Sequence, residues 1–123
     1  MRFKTKAEAE RVDRALKSLT PVLAGAEVTV ELGTSRPPME RDVTMERSFA
    51  QAQQLAAKLG HELPEEGSGG GSDGNITAAV GAPTLDGLGF MGEGAHAAHE
   101  QAVISSIPFR TALLDRIVAE WQF

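Results

Sequence analysis

Three groups of residues have types and spacings that could do chemistry. Gly94-Ala95-His96-Ala97-Ala98-His99-Glu100 brings two imidazoles and a carboxylate together, donor types that suit zinc or a similar divalent ion. The spacing matches neither HExxH nor HxxEH, and two solvated histidines beside a glutamate are the plainer alternative. Asp73, Asp86 and Glu93 are candidate further donors. Gly67–Asn75 is a glycine-dense loop that runs into a helix, so its backbone N–H groups could approach an anion or a carboxylate. No Lys-Ser/Thr follows it, so it is not a P-loop, and the strand before it is too weak for a dinucleotide fingerprint. GSGGGS reads equally as a flexible linker, whereas Ser72-Asp73-Gly74-Asn75 leads into a helix with a coherent cap. Arg36 stands before Pro37 and Pro38. A guanidinium on so stiff a segment is a fork for a carboxylate, or else an exposed boundary arginine.

The elements that must position these residues are legible as periodicity. Thr5 followed by Glu8 is a capping-box pattern, and Val12, Leu16, Leu19 and Leu23 recur at helical spacing behind it. Pro21 ends that helix near Leu19. Glu27 to Leu32 alternates polar and apolar like a half-buried strand. Gly33 to Pro38 breaks the pattern and marks a domain boundary. A second helix follows over about Asp42 to Leu59, with Met45, Phe49, Ala52, Ala56 and Leu59 as one stripe and Gly60 as its stop. His61 to Glu66 reads as a short strand. Asp73 is placed to cap a helix over Gly74 to Val80, closed by Gly81. Pro83 to Asp86 reads as another strand, Gly87 to Gly94 as a loop, and Val103-Ile104 as a brief pairing segment. Pro108 opens a last helix whose apolar face is Leu113, Leu114, Ile117, Val118 and Trp121. Helix and strand alternate from about residue 39, which implies βαβ units around a parallel sheet, with both glycine loops beyond carboxyl ends of strands.

The totals bound the function. The chain has 123 residues, and Val, Ile and Leu number 23, enough for a core in one modest domain or two incomplete pieces. There is no cysteine, so disulfides and thiolate metal sites are excluded and a reducing compartment fits. No apolar run approaches a membrane span and no signal core follows the basic N-terminus, which makes the cytoplasm the expected location. Residues 1–62 hold 10 Lys/Arg against 9 Asp/Glu, and residues 63–123 hold 2 against 8. So acidic a second half disfavours nucleic acid and is compatible with a cation.

Taken in order, Gly69-Gly70-Gly71-Ser72-Asp73-Gly74-Asn75, then Gly81-Ala82-Pro83-Thr84-Leu85-Asp86-Gly87-Leu88-Gly89, then Gly94-Ala95-His96 with Glu100 beyond, resemble the C-terminal part of the glutamate carboxypeptidase family. This is the zinc exopeptidase superfamily that includes acetylornithine deacetylase and succinyl-diaminopimelate desuccinylase. Arg36-Pro37-Pro38 looks like that family's arginine at the end of its lid domain. The resemblance implies a loop rather than a linker at Gly67. It implies His96 as a zinc ligand, a substrate pocket lined by Gly70, Gly71, Ser72 and Asn75, and Arg36 on the substrate's carboxylate. His99 has no ligand role in the pattern, and Glu100 would orient the loop. Residues 1–37 would be the last helix and strand of an α+β lid and dimerisation domain. Residues 38–123 would be the C-terminal βα units of an incomplete three-layer α/β catalytic domain. The intact enzyme would use two zinc ions and an activated water on an amide bond of a peptide or acyl-amino acid. The other ligands and the general base would lie in an N-terminal half that this chain does not contain, so it should be inactive alone, existing as a homo-oligomer or associating with that half. The alternative is a non-catalytic α/β remnant that acts as an assembly module with another chain. A third reading is a stand-alone metal-binding domain built on His96, His99 and nearby carboxylates.

Overall fold

The Thr5 hydroxyl accepts the Glu8 N–H at 3.2 Å and starts helix α1, Lys6–Lys17. The Glu8 carboxylate turns outward to Arg11 at 2.7 Å. The computed structural model describes residues 1–31, 33 and 36–122. They fall into two compact units, Met1–Arg41 with Gly67–Ala82, and Asp42–Glu66 with Pro83–Phe123.

In the first unit α1 ends at its cap Ser18, just before the expected Leu19, and has no buried residue. Val12 and Leu16 are half-buried, whereas Leu19 and Leu23 are exposed. The described part of the expected strand, residues 27–31, has no ladder. An alternating segment becomes a strand only when a neighbour takes its N–H and C=O groups. Leu32 lies outside the described residues, as do Thr34 and Ser35 of the break before Pro37. The unit's other element is the short helix α3, Gly74–Ala79.

The second unit is built on α2, Val43–Lys58, and α4, Ile107–Glu120. Asp42 caps α2 through the Met45 N–H at 2.8 Å. Gly60, at φ 78°, closes it. The His61 N–H reaches the Ala56 carbonyl and the Gly60 N–H the Ala57 carbonyl, at 3.1 and 3.0 Å, the paired bonds of a Schellman stop. Ala52, Leu55, Ala56, Leu63 and Leu113 form the core, with Phe49, Leu59, Leu85, Phe109 and Ile117 against it. Ala52 and Ala56, one turn apart, are small enough to let α4 approach, and Leu113 is sealed against this face at 0 % exposure. Lys58 reaches Glu120 at 2.9 Å, and Gln51 and Gln122 exchange two hydrogen bonds.

Strands β1, Gly92–Glu93, and β2, Gln101–Ala102, pair antiparallel. They are the only sheet among the described residues, so the parallel sheet expected from the alternation of elements is corrected. Residues 61–66 and 83–86 form neither helix nor strand. Leu63 belongs to the core there, and Leu85 packs against it. The pairing expected at Val103-Ile104 centres just before it, at Gln101–Ala102, and reaches Val103, whose N–H donates to the Met91 carbonyl at 2.8 Å. A 3₁₀ turn, Ile104–Ser106, then leads into α4. Buried Ser106 braces this corner, donating to the Val103 carbonyl at 2.6 Å and accepting the Met91 N–H at 2.9 Å. The chain is thus of small α/β type, with four helices and one two-stranded sheet.

Candidate functional site

The glycine loop and Arg36 lie in the first unit and meet there. The loop is organised by its own polar side chains. Ser68 Oγ accepts the Gly70 N–H at 3.0 Å, Asn75 Oδ1 the Ser72 N–H at 2.8 Å, and Ser72 Oγ the Gly74 N–H at 3.1 Å. Three loop N–H groups that could have faced an anion therefore have internal acceptors, the role these residue types commonly play before a helix. Asp73 occupies the N-cap position of α3, but its side chain makes no cap bond. The carboxylate turns instead to Arg36, whose Nη2 donates to Asp73 Oδ1 at 3.2 Å.

Two further contacts fix Arg36 on the loop. Asn75 Nδ2 donates to the Pro37 carbonyl at 2.8 Å, so one amide ties the loop to the proline segment while its oxygen shapes the loop itself. A Cβ on Gly71 would stand 3.2 Å from Arg36 Cδ, closer than ordinary packing, so the absent side chain is what lets the arginine lie there. Arg36 is exposed and remains open to solvent. Arg2 is a neighbour that periodicity could not have revealed. A Cβ on Gly69 would stand 3.5 Å from its Nη1, so a second guanidinium lies over the same loop.

His96 lies in the second unit, exposed, in the turn between β1 and β2. At φ 67° it is the one non-glycine residue with positive φ among the described residues. Such a conformation costs a side-chain-bearing residue on the order of 1–2 kcal/mol and collects at functional positions. Gly94, at φ 71°, sits beneath the His99 ring, and a Cβ there would come within 2.8 Å of His99 Cδ2. His99 is thus packed on the turn's own backbone. Glu100 is exposed, and its N–H closes the turn on the Ala97 carbonyl at 3.0 Å.

No three His, Asp or Glu side chains converge on a possible metal position among the described residues. A zinc ion takes three or four protein ligands, and the described residues bring no such set together. No helix among the described residues is long and apolar enough to cross a membrane.

A family model described as peptidase family M20/M25/M40 matches residues 5–120. The match covers nearly the whole chain, which belongs to this family. Membership makes a metal-dependent peptidase or amidohydrolase the class of activity, in a family that generally binds zinc or another divalent metal. No curated protein and no solved structure matches the chain.

Proposed function

We propose that the chain is the C-terminal portion of a di-zinc amidohydrolase of the glutamate carboxypeptidase kind, acting on the amide bond of a peptide or acyl-amino acid. Arg36 holds the substrate's free carboxylate, with Gly70, Gly71, Ser72 and Asn75 forming the wall beside it. His96 serves as one metal ligand. The remaining ligands and the general base come from an N-terminal half, without which the chain does not hydrolyse amides. Residues 1–37 belong to the lid and dimerisation domain and residues 38–123 to the catalytic domain. A cytoplasmic location and a homo-oligomer, or association with the N-terminal half, complete the reading.

One observation carries it. Arg36 and the Gly71–Asn75 segment, distant in sequence, meet through an ion pair at 3.2 Å, an amide bridge at 2.8 Å and a glycine whose missing side chain makes room. A linker would have no reason to make these contacts. The test is zinc content and glutamate release from N-acetyl-L-glutamate by the purified chain. The expected result is substoichiometric zinc and no release. Turnover by the chain alone would refute the fragment reading, and tight stoichiometric zinc would favour a stand-alone metal domain. The other reading, a non-catalytic module that assembles with another chain, draws on α1, which presents its Val12 and Leu16 stripe without a single buried residue.

A further inference from the structure

We propose that Asp73 is the resident counter-ion of Arg36, and that a ligand carboxylate binds by taking its place. The inference rests on the reading of Arg36 as the carboxylate anchor and concerns how that anchor is regulated.

The geometry separates two attachments of Arg36. Its backbone segment is held by the Asn75 Nδ2 bond to the Pro37 carbonyl at 2.8 Å, and its stem lies over Gly71. Neither contact uses the end of the guanidinium. The Asp73 carboxylate reaches that end, through one hydrogen bond of 3.2 Å to Nη2. Among the described residues Asp73 makes no cap bond: it stands at the helix N-cap without bonding a helix N–H. Its side chain is 89 % exposed and that of Arg36 is 45 % exposed, so the pair opens at little cost. A guanidinium offers two N–H groups to a carboxylate as a fork. An incoming carboxylate can take both, whereas Asp73 takes one. Asp73 then returns to solvent, and Arg36 keeps its position through Asn75 and Gly71. No covalent bond changes. An arginine held by its backbone but paired only loosely at its tip is poised for exchange of anions.

The consequence is inverted from that of an ordinary site residue, because removing the Asp73 charge strengthens binding. Exposed ion pairs are weak, which sets the expected gain at no more than about fivefold. The experiment is an NMR titration of the full chain with N-acetyl-L-glutamate at low salt, following the Arg36 Nε–H signal, for wild type, Asp73→Asn, Asp73→Ser and Arg36→Gln. Both Asp73 variants keep a side chain suited to the N-cap position. The expected result is binding lost in Arg36→Gln and about two- to fivefold tighter in both Asp73 variants, with the Nε–H signal shifted before any ligand is added. Equal or weaker binding in the Asp73 variants, with Arg36→Gln still abolishing it, would overturn the displacement and leave Arg36 as the anchor. Binding that is absent throughout, or indifferent to Arg36→Gln, would overturn the anchor and the displacement together.

Discussion

Asn75 joins the loop to the proline segment with both ends of one amide, and its replacement separates the two bonds. Oδ1 accepts the Ser72 N–H and Nδ2 donates to the Pro37 carbonyl, both at 2.8 Å. The site is half-buried, so water reaches it only in part. A net hydrogen bond contributes about 1 kcal/mol. Asn75→Ala loses both and should cost about 2 kcal/mol. Asn75→Asp keeps an acceptor for Ser72 and loses the donor to Pro37, so it should cost about 1 kcal/mol. Urea unfolding gives the two totals from the midpoints. Amide hydrogen exchange at Ser72 gives the division: faster in Asn75→Ala by up to about fivefold, unchanged in Asn75→Asp. Equal exchange at Ser72 in both variants, or no loss of stability in either, would show that the amide does not hold the loop and would remove the structural support for Arg36 as an anchored residue.

Three further outcomes follow from the second unit. Leu113→Ala should cost about 3–4 kcal/mol, since the residue is fully buried, whereas Leu114→Ala at 40 % exposure should cost less than about 1 kcal/mol; urea midpoints of the pair decide which face of α4 is inward. His96→Gly should be about 0.5 kcal/mol more stable than wild type, because glycine adopts the observed φ of 67° without strain, and His96→Val should be less stable than wild type by at least about 1 kcal/mol; thermal melts check both. The Glu120 carboxyl is held below its ordinary value of 4.5, first by the hydrogen bond from Arg116 and then by that from Lys58. A depressed carboxyl stabilises the fold above its unfolded value and loses that contribution as pH falls through the folded one. Stability should therefore decline below about pH 4.5, and Glu120→Gln should flatten the decline in chemical denaturation measured between about pH 5 and 3.

How far the chain could be read in advance depended on where each element's partners lie. The helices carried their own signals. Thr5 caps α1 as its pattern predicts, Gly60 supplies the αL stop, Pro108 sits in the first turn of α4, and Asp42, expected inside α2, proves to be its cap. These are local interactions within a few residues. The inward face of α4 was legible only in part. Leu113 and Ile117 turn inward with Phe109, whereas Leu114 and Val118 turn out, and hydrophobicity alone does not choose between adjacent apolar residues. Of the expected strands at residues 27–32, 61–66 and 83–86 only the first alternated, and none forms a ladder among the described residues, because a strand is a property of two segments and only one is written in its own residues. The candidate site shows the same division. That Asp73 heads a helix was visible in the sequence, but that its carboxylate turns to Arg36, 37 positions away, was not. A capping residue is typically extended at its own backbone, whereas Asp73 is already helical at φ −69° and ψ −20° and makes no cap bond, and its carboxylate meets the Arg36 guanidinium instead. The segment that carries Arg36 is tied to the loop by the Asn75 bond to the Pro37 carbonyl, a contact between residues 38 positions apart that no local pattern announces.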